Sequence, residues 1–111
     1  MADKITLRQS RAFLQSVKRL RKRYPNVRKP ITDLIQLLQN GETPGDQVAH
    51  TGHTVYKVRL PNPDALRGKS GGFRVLYYLK TDDNVFLLLM YSKTDRSDVI
   101  AAEVKAIIDE L

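Results

Sequence analysis

Residues 73–91 read FRVLYYLKTDDNVFLLLMY. Two runs of aromatic, β-branched and aliphatic residues, FRVLYYL at 73–79 and VFLLLMY at 85–91, flank a short polar segment. Such runs are typical of β-strands, and Thr81-Asp82-Asp83-Asn84 has the composition of a turn. The segment therefore predicts a β-hairpin at the centre of the fold.

The flanking segments extend this hairpin in both directions. Upstream, VYKVRL at 55–60 alternates and predicts a third strand, whereas the turn-forming residues of 41–54 predict a connecting loop. Downstream, a helix is predicted from Ser97, with Ser97 as its cap. The apolar face of this helix should hold Ile100, Val104, Ile107, Ile108 and Leu111.

The N-terminal third of the chain predicts a short strand and two helices. The strand covers residues 5–8, the first amphipathic helix covers 9–24, and the second begins near Pro30 and ends at Asn40-Gly41. The two helices should pair as a hairpin. The order β-α-α-β-β-β-α predicts a single α+β domain over residues 1–111, with helices packed on one face of an antiparallel sheet and the other face free for function.

The charge distribution indicates a polyanionic partner. The net charge is +7; residues 1–29 carry ten basic side chains and one acidic one, whereas residues 81–111 carry three and seven. A basic face attracts phosphate groups. The chain has no cysteine, no apolar run of about 18 residues and no apolar N-terminal stretch, so we expect a cytoplasmic protein that does not associate with membranes.

Side-chain alternation along the strands predicts a cluster on the free face. Strict alternation places five side chains together: Lys57, Arg59, Arg74, Tyr91 and Lys93. It also separates Phe86, Leu88 and Met90 from Leu89, Tyr91 and Lys93.

Such a cluster suits RNA cleavage by the chain's own 2′-hydroxyl. That reaction needs a base, cations around the phosphate and an acid for the leaving oxygen, and it requires neither a metal nor a cofactor. The alternative is a set of solvated charges on an exposed face.

Three motifs resemble a known family. VYKVRL, GKSGGFRVLYYL and LLLMYSKTDRSDV are similar to the central and C-terminal parts of RelE/HigB-type toxins, over about residues 55–100, while the first 40 residues agree only in helix layout. The resemblance implies a twisted antiparallel sheet with packed helices and cleavage of messenger RNA, usually in the ribosomal A site.

The same resemblance implies partners. They are a cognate antitoxin protein with a helix-turn-helix that binds operator DNA, messenger RNA, and the ribosome with its rRNA. Operator DNA would be reached only through the antitoxin complex.

Site residues follow from the resemblance by position. Lys57 and Arg59 match the YK-x-[KR] strand of the family, and Arg74 matches its G-[FY]-R strand. Because an arginine stays protonated, Arg59 suits phosphate binding and the proton-abstracting role falls to Lys57. Arg74 is the expected transition-state stabiliser.

The chain also departs from the best-known members of the family. Where they have an arginine and a tyrosine, this sequence has Thr94 and Ile100, and neither can act as a general acid. Tyr91-Ser92-Lys93 matches the YSK motif of the HigB-like branch. Tyr91 could then stack on a base or protonate the leaving oxygen, with Lys93 sharing that work; a purely structural Tyr91 is the alternative.

Further basic residues are candidates for RNA and phosphate binding. They are Lys69, in the glycine-rich loop 68–72, and Lys18, Arg19, Lys22 and Arg23 in the basic stretch 18–29. That stretch could equally be a solvated helix face or the surface around which an antitoxin wraps. His50 and His53 form H-x-x-H without a further ligand nearby, so we expect no metal.

Two other functions fit the same sequence. The wider superfamily includes ParE-like toxins, which inhibit DNA gyrase without cutting RNA. The substitutions at Thr94 and Ile100 also leave room for a non-catalytic nucleic-acid-binding module of the same fold.

Overall fold

The computed structural model of the chain describes residues 4–64 and 72–111. Its helices are α1 (Arg11–Arg23), α2 (Arg28–Gln39) and α3 (Ala101–Asp109), and its strands are β1 (Thr6–Gln9), β2 (Asp46–Gln47), β3 (Val55–Leu60), β4 (Phe73–Thr81) and β5 (Asn84–Ser92). The strands form one sheet in the order β1-β5-β4-β3-β2. The predicted α+β class and element order are confirmed, with the short strand β2 added inside the predicted loop.

The sheet is mixed, so the prediction of a purely antiparallel sheet was wrong at one edge. β1 pairs in parallel with β5, from Thr6 opposite Asn84 to Gln9 opposite Leu87, whereas all other neighbours are antiparallel. Alternation along a strand shows which side chains share a face, but it does not identify the strand's partner.

A β-bulge interrupts β5 in its middle. Leu76 pairs with Leu89 and Tyr77 pairs with Leu87, so Leu88 is the extra residue. The bulge changes the alternation, and the predicted grouping of Phe86, Leu88 and Met90 was wrong for this reason. Val85, Leu87 and Met90 belong to one hydrophobic core, and Phe86, Leu88, Leu89 and Tyr91 to the other.

Each face of the sheet carries its own core. On one face α1 and α2 pack on the sheet through residues that include Phe13, Val17, Leu20, Ile31, Leu34, Leu38, Val58, Val75 and Tyr77. On the other face α3 packs through Val104 and Ile108 on a cluster that includes Val55, Leu76, Leu89 and Val99. The prediction that all helices cover one face was therefore wrong, because the second face has apolar residues that also require cover.

α3 begins four residues later than predicted. Its N-terminal flanking residue is Ile100, which provides no side-chain cap, and Ser97 is not a cap. The Asp98 carboxylate instead accepts the backbone N–H of Val99 at 2.8 Å, within a turn that precedes the helix. Ile100 is 70% exposed and so lies off the buried face of α3, contrary to prediction.

Ser10 is the N-terminal cap of α1, and it also bonds to the bulge residue. Its buried hydroxyl accepts the N–H of Phe13 at 2.9 Å and donates to the carbonyl of Leu88 at 2.7 Å. Because Ser10→Ala removes both bonds, we expect the free energy of unfolding to fall by about 2 kcal/mol.

Urea denaturation measures this loss, with Ser97→Ala as the matched control. The exposed side chain of Ser97 makes no hydrogen bond within the described residues, so its truncation should change stability by less than about 0.5 kcal/mol. Equal effects of the two substitutions would contradict the assignment of the cap.

Candidate active site

Three strands place a row of side chains on the face that α3 partly covers. Arg59 on β3 pairs with Arg74 on β4, and Arg74 pairs with Tyr91 on β5. Residues directly opposite one another in antiparallel strands project from the same face. Lys57, two residues before Arg59 on β3, projects from the same face beside this row. The bulge at Leu88 precedes Tyr91, so it leaves this convergence intact.

Arg74 lies at the centre of the row and is only 9% exposed. Its Nη1 donates to the carbonyl of Phe73 at 3.3 Å. Gly72 lies beside it: a Cβ on this glycine would lie at ordinary contact distance from Nη1, 3.5 Å, but only 3.1 Å from the Leu60 carbonyl oxygen, and its φ of +49° suits glycine. A larger residue at 72 would therefore strain the backbone next to the guanidinium.

The two arginines of the row face each other without a bridging carboxylate. Within residues 4–64 and 72–111, the salt bridges involve neither Arg59 nor Arg74. Like charges directly opposite on neighbouring strands destabilise a sheet. An anion bound between the two guanidinium groups would remove that repulsion.

Lys57 is held by a carboxylate from the turn before α3. Its Nζ donates to Asp98 Oδ1 at 3.0 Å, and the two side chains are 33% and 64% exposed. The hydrogen bond from Lys57, followed by the backbone N–H of Val99, lowers the pKa of Asp98 below its ordinary value. Asp98 is therefore an anion at neutral pH.

Tyr91 is buried at the end of the row, only 5% exposed. In the part of the chain that the structure describes, its hydroxyl is the one buried side-chain polar atom without a hydrogen-bond partner. Burial raises the pKa of Tyr91, and the nearby charges of Lys57, Arg74 and Arg96 only partly oppose that shift. The phenol thus keeps its proton at neutral pH, and the described residues provide no acceptor for it.

Arg96 joins the site although the sequence did not indicate it. Its guanidinium carbon lies 5.6 Å from the centre of the Tyr91 ring. Glu103 holds it by two hydrogen bonds, of 2.7 and 3.2 Å, and its Nε donates to the Asp98 carbonyl at 3.2 Å. Thr94, where the best-known relatives have arginine, bonds through its hydroxyl to Ser92 at 2.8 Å. Arg96, two positions after Thr94, therefore brings a cation to Tyr91.

Lys93 lies beside the row, not in it. It follows the end of β5, and its exposed Nζ donates to the Ser97 carbonyl at 3.0 Å. Its backbone N–H bonds to the carbonyl of Gly72 at 3.2 Å. Lys93 contributes positive charge near Asp98, whose pKa it helps to lower.

The basic residues of α1 divide between two surfaces. Arg19 and Arg23 line a cavity of about 220 Å³ together with Tyr91 and Arg96, and Arg23 pairs with Asp95 at 3.1 Å. Lys18 instead lines a groove of about 420 Å³ between α1 and α2. Lys22, one turn after Lys18, lies on the same side of the helix. Of these four residues, only Arg19 and Arg23 lie next to the row.

The remaining predicted positions lie elsewhere. Lys69 and most of the glycine-rich loop fall outside the described residues. His53 packs its ring against the edge of Tyr78 at 5.3 Å, and His50 has a φ of +67°. Among residues 4–64 and 72–111, no three His, Cys, Asp or Glu side chains form a group that could hold a metal ion. None of the helices in these ranges is long and apolar enough to cross a membrane.

The fold and the row define a small α+β protein with a row of cationic side chains on one face of its sheet. The family profile described as "RelE toxin of RelE / RelB toxin-antitoxin system" matches residues 15–109. The chain belongs to this family: it is a RelE-type toxin, and a cognate antitoxin is its partner. A comparison with curated proteins gave no match.

Proposed function

We propose that this toxin is a metal-independent endoribonuclease that cleaves messenger RNA on the ribosome and thereby stops translation in the cytoplasm. The observation that carries the proposal is the pair of opposed guanidinium groups, Arg59 and Arg74, which have no carboxylate between them in the described residues. A backbone phosphate of RNA fits this pair in charge and in shape.

The chemistry proceeds in line at that phosphate. Arg74 and Arg59 bind its non-bridging oxygens and stabilise the charge that develops on them. The 2′-hydroxyl of the preceding ribose loses its proton to a base, and the sequence predicts Lys57 for this role. Tyr91, which keeps its proton at neutral pH, donates it to the departing 5′-oxygen. Lys93, beside the row, shares in the protonation of this oxygen.

Basic surface residues hold the larger RNA partners. Arg19 and Arg23, at the cavity beside Tyr91, contact the message next to the cleaved bond. Lys18 and Lys22, on the other side of α1, contact rRNA, and Lys69 adds a phosphate contact. The antitoxin, a helix-turn-helix protein that binds operator DNA, keeps the toxin inactive.

Reconstituted ribosomes programmed with a defined message test the proposal. Adding the toxin should produce cuts within the A-site codon, mapped by primer extension, and adding metal chelators to the toxin before the assay should not prevent them. Intact message with inhibited gyrase supercoiling would select ParE-like activity instead. Salt-sensitive RNA binding without cleavage, on or off ribosomes, would select a non-catalytic module.

A further inference from the structure

The contact between Lys57 and Asp98 bears on which group removes the proton. We infer that Asp98 is the general base of the proposed ribonuclease and that Lys57 is its cationic partner. The inference rests on the proposed function and changes the assignment of one step. It starts from the 3.0 Å hydrogen bond that Lys57 Nζ donates to Asp98 Oδ1.

A general base needs a lone pair that is free to accept a proton. In its ion pair with Asp98, Lys57 is an ammonium group and has none. To act as a base it would first have to give up its proton and its partner. As an ammonium group it can instead bind the phosphate together with Arg59 and Arg74, at no such cost.

Asp98 is the acidic side chain that contacts Lys57, and one of its oxygens is left for a further bond. Asp95 pairs with Arg23, and both oxygens of Glu103 are held by Arg96. Asp98 uses Oδ1 for both Lys57 and the Val99 N–H, while Oδ2 makes no hydrogen bond within the described residues.

The surroundings keep Asp98 ionised. Lys57 from β3 and Lys93 after β5 both lower its pKa. Its own charge reaches Tyr91 on β5, where it helps to raise the phenol's pKa, and it also acts on Arg96. The carboxylate and the phenol therefore differ in protonation at neutral pH, one free of a proton and the other carrying it, as a base and an acid must.

The step is balanced with these two groups. The 2′-O–H bond breaks and its proton passes to Asp98 Oδ2, while the 2′-oxygen forms a bond to phosphorus. The bond from phosphorus to the 5′-oxygen breaks, and that oxygen takes the proton of Tyr91. The products are a 2′,3′-cyclic phosphate and a 5′-hydroxyl end. Proton exchange with water restores both side chains.

The pH dependence of single-turnover cleavage separates the two bases. Because the pKa of Asp98 lies below its ordinary value and that of Tyr91 above its own, the cleavage rate should be nearly constant from pH 6 to pH 9. An amine base, mostly protonated at these pH values, would instead give a rate that rises about tenfold per pH unit. A rising profile would overturn the inference.

Substitution gives an independent test. Asp98→Asn keeps an oxygen for the Val99 N–H but cannot take a proton, so we expect the single-turnover rate to fall at least about 100-fold. Binding of a message with a 2′-deoxyribose at the cut position should stay the same or tighten, since a negative charge is lost. Formate should restore part of the activity of Asp98→Ala. Asp33→Asn, on the exposed side of α2, is the control of equal charge change and should cleave like the wild type.

The outcomes also separate this inference from the proposed function. If the wild-type toxin leaves the message intact, the ribonuclease proposal fails. If the wild type cuts and Asp98→Asn cuts within about threefold of Asp33→Asn, the message is cleaved by another base and only the inference fails.

Discussion

We expect Arg74→Ala to lower the rate of message cleavage by about 10²–10³-fold, the effect of removing a positioned donor from a developing oxyanion. Arg74 is the middle member of the row and pairs with both Arg59 and Tyr91 across the strands. Arg59 and Lys57 remain in the variant, but neither takes the central place of Arg74, since both lie on β3 and Lys57 is paired with Asp98. Single-turnover cleavage on programmed ribosomes measures the loss.

Two further variants make the result specific. Arg74→Lys keeps the charge but loses the planar pair of donors, so it should recover only part of the rate. Arg8→Ala removes an exposed arginine from β1, at the other edge of β5, and should cleave like the wild type. Circular dichroism and thermal unfolding must show a folded Arg74→Ala protein. Full activity in that folded variant would contradict the role given to Arg74.

The central hairpin and the third strand could be predicted nearly to the residue. β3 begins and ends where alternation of VYKVRL indicated, and β4 and β5 extend the predicted runs by one or two residues. The reason is local: these residues favour strands strongly, and the turn between them has few other conformations. The row of Arg59, Arg74 and Tyr91 followed because the register of such strands is regular around it.

The errors arose where non-local contacts decide the structure. At the bulge, the carbonyl of Leu88 accepts a hydrogen bond from the hydroxyl of Ser10, which lies 78 residues away in the chain. The parallel pairing of β1 and the position of α3 depend on which apolar face remains uncovered. Neither is visible in the alternation of a single strand.

The missed site residues show the same limit. Arg96 and Asp98 lie in the charged run TDRSDV, and the apolar spacing after it predicted a helix from Ser97 that included Asp98. In the structure that run is a turn, and α3 begins only at Ala101. The turn brings Arg96 to Tyr91 and Asp98 to Lys57. The signal available in the sequence was the density of charge directly after the YSK motif at the end of β5.

Tyr91→Phe should lower the cleavage rate without lowering the stability of the protein. The phenol is the proposed proton donor, and loss of a general acid lowers rates by about 10²–10⁴-fold. Its hydroxyl is buried without a partner in the described part of the chain, and a buried unpaired polar group costs about 1–3 kcal/mol. Its removal should therefore leave the free energy of unfolding unchanged or raise it.

Cleavage assays and urea denaturation of the same preparations measure both effects, with Tyr78→Phe as the control. Tyr78 lies on β4 and packs against Phe86 and His53, away from the row, so its variant should cleave normally. A purely structural Tyr91 predicts the reverse pattern, with cleavage retained in Tyr91→Phe because the ring still packs. A protein gains nothing from an unpaired buried hydroxyl unless a ligand completes it, and in the proposed reaction the departing 5′-oxygen of RNA is that ligand.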